Sequence, residues 1–344
     1  MLSLPSERVV VLTTINSDQH SGVQKLLEQS IDHNFQLVII ADQKTPIWKS
    51  KLLDKVTFYD LNAQRRLPFE VASYLPENHY SRKNLGYLIA ASMGFEWISE
   101  TDDDNQLLEN FWTIPDEIRV AVSPIGARWV NMYALYGYPQ LWHRGIPISE
   151  VRTSNQVAID KRSSKFVKVG TVQGFANGDP DIDAICRMLY LPSVKFEKSG
   201  AFLTDGGVIA PTNSQLTHWH SRLLPLMYLP CSVLWRVSDI WRGVIAQIWM
   251  NSNQWGTLFV GATGLQIRNE HNLLHDFRDE IPVHLHTSSL IEICQRNQKS
   301  SVYIYLKNVY SELRELDLVS NDELAILHAF LSDCKQILNE PRNS

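Results

Sequence analysis

Three consecutive carboxylates, Asp102, Asp103 and Asp104, directly follow the apolar run Trp97-Ile-Ser-Glu. Like charges a few ångströms apart raise one another's pKa and are costly unless a cation offsets them. Asp102 and Asp104 have the Asp-x-Asp spacing, and hard oxygen ligands suit Mn²⁺ or Mg²⁺, which in turn binds a diphosphate. The alternative is a solvated acidic turn in which Asp103 or Asp104 caps a helix over residues 106–111. Upstream, Arg82, Lys83 and Asn84 open a helical pattern, where two cations and an amide suit phosphate. A basic helix start and an acidic strand end together suggest a nucleoside diphosphate held through a metal.

Two further clusters stand out. Asp179, Asp181 and Asp183 fall within five residues ahead of a helical pattern, and each is either an N-cap or an acceptor for a base or sugar hydroxyl. Arg236, Asp239, Trp241 and Arg242 combine charge with an indole, which suits a sugar, although a structural Arg–Asp pair reads almost as well. The pairs His218/His220 and His284/His286 lack a Glu that would complete a zinc pattern. His271 and His275 are four apart, and His271 is taken as the residue that completes the cation's shell. No P-loop, no Gly-x-Gly-x-x-Gly after the first strand and no Gly-x-Ser-x-Gly elbow is present, which disfavours P-loop hydrolysis, ordinary NAD chemistry and an α/β-hydrolase.

The elements that must carry these residues follow from hydrophobic period. Residues 8–15 form a continuous β-branched run, the pattern of a strand buried on both faces. Val23, Leu26, Leu27 and Ile31 give one helical face, and residues 37–41 make a second buried strand, so a βαβ unit is expected. A short strand at 56–59, a helix over 82–93 and a strand at 97–100 continue it. Ligands of open α/β sheets bind beyond the carboxyl ends of the strands, so Asn16, Asp42 and Asp102–Asp104 should share one edge. From about 115 the texture turns to short strands and aromatics. After about 287 it turns helical, with Ser320 and Glu323 as a capping-box candidate.

Composition excludes several classes. The 344 residues are 44% apolar and 20% charged with ten Trp, which excludes disorder and supports a large core. A net charge of −5 supplies no general attraction for nucleic acid or an anionic membrane. The four cysteines are far apart, which fits reduced thiols in a cytoplasmic protein. The N-terminus lacks the order of a signal peptide, and the greasy stretch from Leu223 to Trp235 is broken by Pro225 and Pro230. It falls short of the roughly 20 residues of a membrane helix, so a soluble chain is expected.

Seven blocks in order resemble the STELLO glycosyltransferase-like family over about residues 8–285. They begin at Ser81-Arg-Lys-Asn-Leu-Gly-Tyr-Leu, Thr101-Asp-Asp-Asp-Asn, Trp142-His-Arg-Gly-Ile-Pro, Gln173-Gly-Phe-Ala-Asn-Gly-Asp-Pro-Asp, Pro211-Thr-Asn-Ser-Gln, Arg236-Val-Ser-Asp-Ile-Trp-Arg-Gly and Ile267-Arg-Asn-Glu-His. A weaker likeness runs to the reversibly glycosylated polypeptides, which are UDP-arabinopyranose mutases. The resemblance implies an α/β fold of GT-A type over 1–286, with a nucleotide-binding half (1–114), an acceptor half (115–286) and a helical extension (287–344) for packing or homodimer contact. It implies that Thr13, Thr14 and Asn16 cradle the nucleotide, that Asp42 holds base or ribose, and that Asp102 and Asp104 are the Asp-x-Asp. Asp103, Arg82, Lys83, Asn84 and Arg236 are assigned to the nucleotide sugar, and Asp181 or Asp239 to the catalytic base of an inverting reaction. The activity expected is metal-dependent transfer from a nucleoside-diphosphate sugar, such as a UDP-sugar, to a glycan or other hydroxyl. A non-catalytic assembly module and a UDP-sugar mutase are the alternatives.

Overall fold

The computed structural model describes residues 2–4, 7–48, 54–115, 117–160, 168–190, 193–198, 200–204, 207–268 and 272–339. Four parallel strands, Val56–Tyr59, Gln36–Ala41, Val9–Thr14 and Trp97–Thr101, lie side by side in that order. They continue into Thr217–His220, Lys168–Gly178, Trp255–Gln266, Ala201–Thr204, Ile118–Val122 and Ala158–Asp160. Thr217–His220 is antiparallel to both of its neighbours, whereas Lys168–Gly178 and Trp255–Gln266 are parallel. This is the Rossmann-like mixed α/β sheet expected from the sequence.

The β-branched run folds as expected because both of its faces are covered. Val10 and Leu12 join Leu26, Leu37 and Ile39 in one apolar cluster, while Val9 and Val11 join Leu85, Leu88 and Ile98 in another. The helix Lys83–Ser92 lies so close on the sheet that a Cβ at Gly86 would stand 2.3 Å from Val11 Cγ1. Thr14 pairs in register with Ala41, and Leu12 with Thr101, so these strands end together. Thr217 pairs with Glu100 and Gly178 with Gln266, which brings Ser214, Asp179–Asp181 and Arg268 to the same edge.

The alternative of a capped helix over 106–111 is not what forms: Asn105–Leu107 is a strand paired with Gly264–Gln266, followed by a 3₁₀ turn at Glu109–Trp112. The helix Leu273–Asn297 runs across residue 286, where the helical extension was expected to begin. That helix, Val302–Glu315 and Asn321–Asn339 pack Leu290, Tyr305, Leu327 and Phe330 into the same cluster as Leu224 and Trp241. Glu323 does not serve its own helix end. Its carboxylate accepts from Tyr228 OH at 2.6 Å, Cys231 N at 3.0 Å and Ser232 N at 2.7 Å. Asp333 likewise accepts from the backbone N–H groups of Glu70 and Val71. No helix among the described residues is long and apolar enough to cross a membrane.

Candidate functional site

A cavity of about 730 Å³ opens at this shared edge. Its acidic side is the Asp102–Asp104 loop. Asp102 Oδ1 accepts from Tyr80 OH at 2.9 Å and from Lys83 Nζ at 3.0 Å. Asp103 Oδ2 accepts from Thr14 Oγ1 and from Asn16 Nδ2 at 2.8 Å, which ties the end of the first strand to the loop. Asp104 Oδ2 accepts from Gln266 Nε2 at 2.8 Å and Oδ1 from Asn105 Nδ2 at 2.8 Å. Burial, then the neighbouring Asp102 charge, pushes the Asp104 carboxyl up to about 6. Burial also raises Asp102, with Lys83 opposing it. The loop therefore concentrates negative charge that its hydrogen bonds do not fully offset.

The remaining walls are cationic and aromatic. Arg144 bridges two acids: Nε and Nη2 donate to Asp181 at 2.9 and 2.8 Å, while Nη1 and Nη2 donate to Asp239 at 2.9 Å each. Arg236 also lines the cavity, with its Nε donating to Glu280 Oε1 at 2.7 Å. Trp235, 48% exposed, presents its indole beside it, with the Arg236 guanidinium 5.2 Å from the ring centroid. Lys44, His79, Ser214, Gln215, Gln266 and Arg268 complete the lining that matters here.

Of the residues singled out in the sequence, Thr13, Thr14, Asn16, Asp42, Asp102, Asp103, Asp104, Asp181, Arg236 and Asp239 come together on this cavity. Several have polar atoms already engaged within the protein. Arg82 and Asn84 point their polar atoms inward: Arg82 Nε donates to Gln64 Oε1 at 2.8 Å and its Nη1 to Leu75 O at 3.1 Å, while Asn84 exchanges two bonds with the Leu229 backbone. Lys83, fully buried, lies within 3.1 Å of Tyr80 OH, Thr101 O, Asp102 Oδ1 and Ser214 O. It neutralises the acidic loop from beneath and does not reach a phosphate. Asp42 spends both oxygens on the 78–79 backbone, accepting from Asn78 N at 2.7 Å and His79 N at 2.8 Å. Asp181 and Asp239 fit a catalytic base poorly. Burial alone would raise Asp181, but the charge and hydrogen bonds of Arg144 hold it far below the usual carboxylate range. Asp183 is an N-cap, accepting from Ile185 N at 2.8 Å. His271 lies outside the described residues. Nothing local in the sequence marks Arg144 or Arg268 as site residues, although both sit inside the STELLO-like blocks.

Beneath the site a second ionic layer ties it to the core. Glu100, buried, accepts from Trp219 Nε1 at 2.9 Å and from Arg242 Nη2 at 2.7 Å, and Lys83 Nζ lies 3.9 Å from it. The Arg242 indicated in the sequence as a sugar contact is thus a core residue.

The profile of the STELLO glycosyltransferases matches residues 236–341, from the cavity-lining helix Trp235–Ser252 through the last three helices. Over the chain as a whole, "Probable glycosyltransferase STELLO1" of Arabidopsis thaliana is 25% identical across 331 residues, 87% of this chain and 41% of that protein. The chain is thus similar to the STELLO proteins. "Probable glycosyltransferase STELLO2" of the same plant is 23% identical over 97% of this chain and 45% of its own length. The chain thus spans less than half the length of these curated relatives. Solved structures of glucosyl-3-phosphoglycerate synthase from Mycobacterium tuberculosis overlap it more loosely. The complex with phosphoglyceric acid gives a TM-score of 0.40 at 11% identity, covering 82% of this chain and 79% of that one. The complex with Mn²⁺, UDP-glucose and phosphoglyceric acid gives 0.37 at 10%, covering 88% and 80%. Likeness of that degree carries no residue-by-residue inference. The profile match takes in the last three helices of this chain.

Proposed function

We propose that this chain transfers a sugar from a nucleoside-diphosphate sugar, such as a UDP-sugar, to a hydroxyl acceptor such as a glycan. The observation that carries the reading is the single cavity in which the Asp102–Asp104 loop, the strand end Thr13–Asn16 and the arginines 144, 236 and 268 face one another. A pocket of several hundred cubic ångströms with a few convergent polar groups is what a ligand of that size requires.

The acidic loop fits a divalent cation, Mn²⁺ or Mg²⁺. Buried carboxylates that push one another's pKa upward are relieved by such a charge, and Mg²⁺ commonly takes only one or two carboxylates plus substrate phosphates. Among the described residues no cluster of three His, Cys, Asp or Glu forms an all-protein cage, which is compatible with that mode of binding. Asp102 and Asp104 would hold the ion, whose charge offsets that of the departing diphosphate. Thr13, Thr14 and Asn16 line the nucleotide side, and Asp103 orders Thr14 and Asn16. Asp42 shapes the 78–79 loop of the same wall. In the transfer, the bond from the anomeric carbon to the diphosphate oxygen breaks with its electron pair left on that oxygen. The acceptor oxygen bonds to carbon and gives up its proton, which we assign to the departing phosphate because Arg144 occupies both Asp181 and Asp239. The free, buried thiols of all four cysteines support a reducing compartment. Exposed Leu285, Ile304 and Leu316 on the C-terminal helices support a homodimer contact there.

The test is the pair Asp102→Asn with Asp104→Asn. Mn²⁺-dependent binding of a UDP-sugar should disappear while the melting transition persists; unchanged binding would remove the cation from this loop. Product analysis with a labelled UDP-sugar separates transfer from isomerisation and from no reaction.

A further inference from the structure

Arg268 leaves the sheet at the end of the long strand Trp255–Gln266, fastened directly beside the acidic loop. Gln266 pairs in register with Asn105, its Nε2 donates to Asp104 Oδ2 at 2.8 Å, and Ile267 N donates to Asp104 O at 3.0 Å. The Arg268 side chain is 8% exposed and lines the cavity, yet its Nε is buried without an acceptor. Among the described residues its guanidinium donates no hydrogen bond. Its nearest anion, Asp179 Oδ2 at 3.4 Å, belongs to a carboxylate that Arg187 already holds through Oδ1. Three arginines at or near this edge already have partners: Arg144 has Asp181 and Asp239, Arg236 has Glu280, and Arg82 has Gln64 and backbone carbonyls. A guanidinium stays charged, so burying its Nε–H without an acceptor is costly, while its terminal nitrogens face the cavity. Burial and the nearby Arg187 charge both lower its pKa, the condition an incoming anion relieves.

We propose that Arg268 is the anion clamp of this cavity, its guanidinium taking the diphosphate of the sugar nucleotide beside Asp104. It holds the place that charge pattern alone assigns to Arg82 and Asn84. The fork geometry of a guanidinium matches phosphate oxygens in a way an ammonium does not. The assignment rests on the nucleotide-sugar reading, and the experiment separates the two.

Calorimetric titration of the full chain with UDP, uridine and inorganic pyrophosphate, each in Mn²⁺ and in EDTA, would compare wild type with Arg268→Gln and Arg268→Lys. The glutamine variant should bind UDP and pyrophosphate at least tenfold more weakly with uridine unaffected, since hydrogen bonds to charged groups are the strong ones. The lysine variant should recover part of the loss, which a folding defect would not allow. Equal binding of UDP and pyrophosphate by wild type and Arg268→Gln would overturn the proposal. If wild type binds pyrophosphate through Arg268 but not UDP, the clamp stands and the nucleotide reading falls. If it binds neither, both fall.

Discussion

Arg144 determines what Asp181 and Asp239 can do. With one guanidinium on both carboxylates, neither acid keeps the free, basic oxygen that proton abstraction requires. Removing one partner of such a buried group leaves uncompensated charge, so Arg144→Ala should cost about 3–5 kcal/mol in denaturant unfolding. A loss below about 1 kcal/mol would mean that water already screens the pair. Asp102–Asp104 were legible because three adjacent carboxylates are conspicuous in any sequence. Arg144 was not, because its partners lie 37 and 95 residues away and nothing local marks them. Arg82 and Asn84 were misread for the complementary reason: charge is visible in a sequence and burial is not.

At the scale of elements, the acidic loop owes its position to its neighbours. The helix Ser21–Asp32 begins so close to it that a Cβ at Gly22 would stand 1.7 Å from Asp103 O. Only glycine permits that approach, and Gly22→Ala must push helix and loop apart. We expect the variant to lose Mn²⁺-dependent nucleotide binding while still melting cooperatively; retained binding in titration would show that the loop tolerates the shift. The parallel strands were readable as apolar runs, because burial on both faces leaves that signature. The alternative helix at 106–111 does not form because Asn105–Leu107 is captured by a strand more than 150 residues further on. Long-range pairing of that kind overrides local propensity.

Across the whole molecule, the last three helices are structural members of the site. Glu280 in the first of them holds Arg236 and accepts from Ala184 N at 2.8 Å, while Glu323 and Asp333 cap distant turns. A fragment ending at residue 286 should therefore lack a cooperative transition by near-ultraviolet circular dichroism, and a sharp melt would contradict that integration. Two buried histidines contribute to acid sensitivity. Burial lowers His143 and His218 to about 3, so between there and the ordinary value near 6.5 the unfolded chain binds more protons. Stability from these two groups is full above 6.5 and falls as pH drops, by about 2 kcal/mol for each between 6.5 and 5. Asp104 acts in the opposite sense below about 6, so the contrast to measure is urea unfolding of wild type against His143→Gln with His218→Gln, which should lose less on acidification. Binding of a nucleoside-diphosphate sugar in one cavity, through a cation on the acidic loop, is open to thermal-shift titration of the full chain with UDP, GDP, CMP and several UDP-sugars, with and without Mn²⁺, because a ligand of the folded state raises the melting temperature by mass action. A shift that requires Mn²⁺ and is selective for one nucleotide is the predicted result; no shift with any of them would contradict the account and favour an assembly module that keeps the fold without the chemistry.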